Sequence, residues 1–263
     1  MIAPHLERIG AAWFSLLGLV AGSFLNVVIY RVPRGFALGL PSRSACPSCG
    51  HRLSWFENVP VLSYLWLRGR CAGCGSPISA RYPLVEAMTA VLFFAVYRHF
   101  GLTFTTLYYC AFAAALLAVT FIDLDFRIIP DRISIGGAAL ALLASYWVED
   151  LGFAKSALGA AIGSGSVFSL AWAYNKITNR EGMGLGDVKL LAFIGAALGP
   201  KGAIGTIILS SFVGSIVGLI LMAVHRRDLR MAVPFGPFLA IGALIFLFWG
   251  DSLTLTLYPF PQP

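Results

Sequence analysis

IGAAWFSLLGLVAGSFLNVVIY, residues Ile9–Tyr30, passes through a whole stretch of chain without one charged side chain. An apolar run of about 18 residues or more is long enough to cross the hydrocarbon of a bilayer as a helix. A secretory signal peptide is the competing reading. Such a peptide has basic residues before a shorter apolar stretch and a small-residue cleavage site behind it. This run is longer, Arg31 and Arg34 follow it, and Ala21-Gly22-Ser23 is a weak cleavage candidate. The segment reads as a retained span.

The rest of the chain repeats the pattern. Of 263 residues, 58% are hydrophobic and only 12% charged, about half the charge of a soluble domain. Eight spans are expected, at about 9–30, 83–98, 103–122, 132–148, 153–174, 188–199, 202–224 and 232–249. The sixth is short, covering only about 18 Å at 1.5 Å per residue, so it is expected to be part-buried or to extend toward Lys201. Gly18/Gly22, Gly159/Gly163, Gly195/Gly199 and Gly214/Gly218 have the small-xxx-small spacing that lets membrane helices pack closely. The fold class expected is an all-α polytopic membrane protein with about eight transmembrane helices.

Charge sets the expected orientation. On this span map only Arg8, Arg98, Lys155 and Lys201, of 19 lysines and arginines, fall on one side of the membrane. The positive-inside rule puts the remainder in the cytoplasm and both termini outside. The net charge of +7 then reflects cytoplasmic loops rather than a nucleic-acid surface, and no nucleic acid is expected as a partner. The partners expected from the spans are membrane lipids.

One region departs in composition. Residues 31–82 are polar, basic and rich in cysteine, glycine and proline. Cys46-Pro-Ser-Cys49 and Cys71-Ala-Gly-Cys74 are two C-x-x-C pairs, each followed by a glycine, Gly50 and Gly75. Such knuckles supply four thiolates for a tetrahedral ion, zinc by default and iron as the minor alternative. A reducing cytoplasm argues against disulfides. Four thiolates leave no open coordination position, so the expected role is structural. Cys110, inside a span, reads as a small buried apolar residue.

Acids near membrane spans are costly and raise a functional question each time. Two segments carry them. Phe121-Ile-Asp123-Leu-Asp125-Phe-Arg-Ile-Ile-Pro130-Asp131 ends the third span, and Gly182-Met-Gly184-Leu-Gly186-Asp187-Val-Lys189 opens the sixth. The expected topology puts both at the same cytoplasmic depth. Two carboxylates sharing a site hold one proton between them and can activate water against a peptide carbonyl. On spacing alone, helix capping by Asp187 or Asp131, or an ion pathway, remains open beside catalysis. Asp123 and Asp125 lie about 200° apart on a helix, so only one of them can face Asp187.

Taken together, these stretches resemble the type IV prepilin peptidases. The resemblance rests on Gly22-Ser-Phe-Leu-Asn26 through Arg31, the cysteine insert with Asn58-Val-Pro-Val-Leu-Ser-Tyr and Arg81-Tyr-Pro-Leu-Val-Glu86, Asp123 through Asp131, Gly184-Leu-Gly186-Asp187 with Lys189, and Pro234-Phe-Gly-Pro-Phe238-Leu. It implies an aspartyl endopeptidase of the bacterial inner membrane, serving type IV pili or type II secretion. Its substrates would be prepilins or pseudopilins with basic leader peptides, cut after a glycine on the cytoplasmic face. S-adenosylmethionine-dependent N-methylation of the new N-terminus would follow. The resemblance assigns catalysis to Asp123 and Asp187, with Gly184, Gly186 and Lys189 in support, and treats Asp125 as a loop-side acid. It makes 31–82 a zinc-ribbon-like, methyltransferase-associated insert between a first transmembrane helix, 1–30, and a peptidase domain, 83–263. Glu57, Asn58 and Glu86 are candidates to contact the new amine or the methyl donor, a cap or salt bridge being the alternative for each. Two other classes compete: an ion-coupled transporter, which would show inverted repeats and broken helices at the midplane, and an inactive zinc-ribbon scaffold.

Overall fold

The structure is a computed structural model, and it describes residues 4–36, 45–178, 184–225 and 234–257. Eight α-helices order the described chain: α1 Pro4–Arg31, α2 Leu62–Trp66, α3 Arg81–Phe100, α4 Phe104–Phe126, α5 Asp131–Ala144, α6 Gly152–Thr178, α7 Leu185–His225 and α8 Gly236–Leu257. Among the described residues β pairing is confined to two isolated bridges, Ala45 with Arg52 and Arg70 with Pro77.

Four helical segments are long and apolar enough to cross a membrane: His5–Arg31, Phe104–Phe126, Gly152–Thr178 and Leu185–Ala223. Gly236–Gly250 is a shorter apolar helix. Other expected segments are helical but short or charged. α5 has 14 residues, about 21 Å, and continues only as a 3-10 turn through Trp147. α3 carries Arg81, Glu86 and Arg98. The expected sixth and seventh spans are two halves of α7. Gly199 lies between them with φ 72° and ψ −174°, and Pro200 follows. Glycine adopts that backbone without strain, and Pro200 has no N–H to donate back across the break. The first half begins at Leu185, three residues earlier than expected, so Asp187 lies inside its first turn.

The chain divides into two compact units, 1–118 and 119–263. In the first, α1 packs along α3. A Cβ added at Gly18 or Gly22 would lie 2.6 Å from the Cα of Ala90 or Glu86, so both glycines are required by backbone contact. Asn26 Nδ2 donates to the Tyr82 carbonyl at 3.1 Å, tying the same two helices. In the second unit α7 is central, with α5, α6 and α8 packed against it. Gly159 and Gly195 meet so closely that a Cβ on either would fall 2.1 Å from the other's carbonyl oxygen. Ser156 Oγ donates across the same seam to the Ala196 carbonyl at 2.6 Å. The Gly214/Gly218 pair differs: Gly214 makes ordinary contact with Phe235 and Phe238, and nothing lies within 4 Å of Gly218.

Candidate active site and metal centre

The second unit assembles its site from three helix ends. Asp123 lies in the last turn of α4 and is buried, at 5% exposure. Asp125, two residues on, is exposed. The 200° separation on the helix therefore separates the two acids by environment as well as direction. Asp187 lies in the first turn of α7 and is half-buried, and the charge of Asp123 acts on it. The third end is that of α8. The amide of Gly236, its first residue, donates to Asp123 Oδ2 at 2.9 Å in a buried hydrogen bond. The first N–H groups of a helix have no partner within it and favour negative charge, so the start of α8 is a natural seat for this carboxylate.

Glycines make room at each approach. A Cβ on Gly236 would meet Asp123 Oδ2 at 2.7 Å and Cγ at 3.2 Å. One on Gly186 would meet Ile129 Cβ at 3.1 Å, while one on the exposed Gly184 would make only ordinary contact with Asp187 Oδ2, at 3.8 Å. Lys189 Nζ pairs with Asp131 Oδ1 at 2.7 Å, clamping the start of α7 to the start of α5. Asp131 is the first residue of α5 and Pro130 holds the cap position, so Asp131 serves this ion pair rather than an N-cap.

Sequence reasoning assigned no role to Gly236. The available signal was Pro234-Phe235-Gly236-Pro237: a glycine flanked by residues that start a helix is a free amide able to approach an acid closely. Gly236→Ala is expected to push the Asp123 carboxylate off this amide and to lower thermal stability, because a clash of this kind costs about 1–3 kcal/mol. Thermal unfolding of the purified variant checks this; an unchanged midpoint contradicts it.

The four cysteines of the insert converge in the first unit. All four Sγ atoms lie within 4.8 Å of one another, with Cys46–Cys74 at 3.9 Å and Cys49–Cys71 at 4.0 Å. A zinc–sulfur bond of about 2.3 Å puts tetrahedral sulfurs about 3.8 Å apart, so this donor set fits zinc. The two knuckles repeat one geometry. Cys46 N donates to His51 O and Gly50 N to Cys46 O, while Cys71 N donates to Ser76 O and Gly75 N to Cys71 O, all at 2.9 Å. Gly50 and Gly75 both have φ 71°. Gly73 N reaches Cys71 Sγ at 3.4 Å.

The thiols cannot all ionise by themselves. Amides of Ser48 and Cys49 and the Ser76 hydroxyl pull Cys46 down to about 6. A backbone hydrogen bond from His51 lowers Cys49, but Cys74, burial and the remaining thiols outweigh it and push it up to about 12. A cation at the centre removes that conflict. A metal there would also stand in for a core: among the described residues of 32–80 only Cys46, Glu57 and Cys71 are buried. Cys110 lies separately, buried within α4.

Glu57, Asn58 and Glu86 occupy three different environments. Glu57 is buried; its Oε2 accepts the Ser54 amide at 2.7 Å, and both its oxygens lie 3.1 Å from His51 Nε2. The Ser54 amide first, and His51 after it, hold its carboxyl below the ordinary range against the effect of burial. Asn58 is exposed. Glu86 is buried on α3 and accepts the Val61 amide at 2.7 Å and the Ser23 hydroxyl.

Comparison with known proteins places this chain in a family. Residues 16–100 match the Bacterial Peptidase A24 N-terminal domain and residues 110–219 the Type IV leader peptidase family. The chain is 40% identical to a prepilin leader peptidase/N-methyltransferase of Aeromonas hydrophila, with 91% of this chain and 90% of that protein covered. It is 39% identical to a protein of that name from Pseudomonas aeruginosa, with 93% and 92% covered. No solved structure matches the chain significantly. With both halves matched and full-length relatives at this identity, the chain belongs to the type IV leader peptidase family.

Proposed function

We propose that this chain is a prepilin leader peptidase and N-methyltransferase of the bacterial inner membrane. The observation that carries the reading is the buried Asp123 at the end of α4, fixed by the Gly236 amide, with Asp187 in the first turn of α7 in the same compact unit. In the proposed mechanism the two carboxyls share one proton. The ionised one takes a proton from water, and the water oxygen attacks the carbonyl carbon of the scissile peptide. The protonated one hydrogen-bonds the carbonyl oxygen, and as the C–N bond breaks the departing amine takes the proton that the base received from water. The Gly236 hydrogen bond occupies Oδ2 of Asp123 and leaves Oδ1 for the water. The open face at Gly184 lets an extended substrate backbone approach Asp187.

The finer parts of the proposal follow the sequence reading. Eight spans cross the membrane, α7 contributing two across Gly199-Pro200. The dyad and residues 31–82 face the cytoplasm, and cleavage follows the glycine that ends a basic leader. Residues 83–263 act as the peptidase domain, with Lys189 setting the entry of α7 through Asp131. Cys46, Cys49, Cys71 and Cys74 would hold zinc, which supplies a structural crosslink and no reaction chemistry. In methyl transfer Asn58 is the exposed candidate to contact the new amine or S-adenosylmethionine, while Glu57 and Glu86 act through the loop they hold.

The test is mass spectrometry of a prepilin N-terminus after incubation with purified protein, with and without S-adenosylmethionine. The proposal expects leader loss in both samples and one added methyl group only with the donor. An intact leader in both refutes the peptidase reading, and an unmethylated product with the donor refutes the transferase reading.

A further inference from the structure

The insert exposes a patch of large apolar side chains. Trp55, Phe56, Leu62, Leu65 and Trp66 are 84%, 45%, 55%, 63% and 52% exposed. Five large apolar side chains within one short hairpin, built from a 3-10 turn at Trp55–Asn58 and helix α2, need an apolar partner. Arg68 and Arg70, also exposed, follow directly.

The depth of this hairpin is fixed by α3. Val61, the residue joining its two halves, donates its amide to Glu86 Oε2 at 2.7 Å. Glu86 is five residues inside α3 from Arg81, about 7.5 Å along the helix. Its Cα lies where a side chain on Gly22 would be, and Gly22 is nine residues, about 13.5 Å, from the Arg31 end of α1. Val61 has φ 62°, a conformation a β-branched residue adopts only at a cost; the hydrogen bond to Glu86 holds it there. The loop is therefore drawn back along two helices, one of which is long enough to cross a membrane. It is not projected away from them.

We infer that the Trp55–Trp66 hairpin lies in the membrane interface, its aromatic and leucine side chains immersed among the headgroups and upper acyl chains of an anionic leaflet. Tryptophan is favoured at that level. The arginines attract anionic headgroups, each contributing about 1 kcal/mol near such a surface. Glu86 is the latch that sets the depth, which gives this buried carboxylate a positioning role. The inference rests on the membrane reading of α1 and is independent of the Asp123–Asp187 chemistry.

The test uses the full chain in nanodiscs of dioleoylphosphatidylcholine with 30% (roughly the anionic share that charges a leaflet) phosphatidylglycerol, plain or brominated on its acyl chains. Tryptophan emission is compared between the wild type and W55F/W66F, with bound zinc measured to show that the insert is folded. The emission contributed by Trp55 and Trp66 is expected to fall at least about twofold in the brominated discs. L62E/L65E, with zinc retained, is expected to lose most of that quenching. Unquenched emission from Trp55 and Trp66 overturns the inference. So does quenching that is unchanged in L62E/L65E, or that appears only after a prepilin is added, which would make the patch a substrate surface. Failure of prepilin cleavage leaves these readouts untouched.

Discussion

Asp123→Asn and Asp187→Asn are each expected to lower prepilin cleavage by about a thousandfold, within the range of general acid–base catalysis, while leaving the helices and bound zinc in place. Asparagine keeps the shape of the carboxylate and its hydrogen bond from the Gly236 amide. It can neither take a proton from water nor share one with its partner. Losing either member removes the pair's function, so the double variant should be hardly worse than each single one, the non-additivity expected of residues acting as a unit. Asp125→Asn is the internal control. Its side chain is exposed and points about 200° around α4 from Asp123, so cleavage should stay within about twofold of wild type.

The second large effect belongs to the cysteines. Cys46→Ser with Cys49→Ser removes one knuckle, and the expected result is loss of bound zinc and collapse of residues 45–80 to a protease-sensitive state. The reason is the missing core: Trp55, Phe56, Leu62, Leu65 and Trp66 all face outward, so closure of this region is expected to depend on the metal the four cysteines would hold. Structural zinc binds small modules with about 10–16 kcal/mol, more than the total stability of many domains. Metal analysis and limited proteolysis check the result. A variant that stays zinc-free yet protease-resistant shows that the insert holds itself together otherwise.

How much of this was legible in the sequence varied with how local the physics was. The knuckles were readable because C-x-x-C-G encodes its own turn: the spacing, the positive-φ glycines and the sulfur positions are set within five residues. Asp123 could be chosen over Asp125 through the family resemblance, while helix periodicity alone showed only that the two could not share a role. The break in α7 at Gly199-Pro200 falls where the expected sixth and seventh spans adjoin. Harder were the contacts made across the chain. The Gly236 amide bonds an acid 113 residues away, and nothing in the local pattern of residues 234–238 names its partner. Lys189 was noticed for its place beside Asp187, but its partner Asp131 is 58 residues distant. Glu86 was a candidate contact for the new amine or the methyl donor through the family resemblance alone. Its amide partner, Val61, emerges only once the hairpin is folded back along α3. The Gly214/Gly218 spacing suggested a close helix contact, but small-xxx-small marks only that a helix can be approached closely.

The most direct measurement is the cleavage rate of one prepilin in detergent, read by mass spectrometry of the leader, for wild type, Asp123→Asn, Asp187→Asn and Asp125→Asn purified with equal zinc content. The account predicts leader removal by the wild type and by Asp125→Asn, and an intact prepilin with each of the other two. Full leader removal by Asp123→Asn or by Asp187→Asn would contradict it.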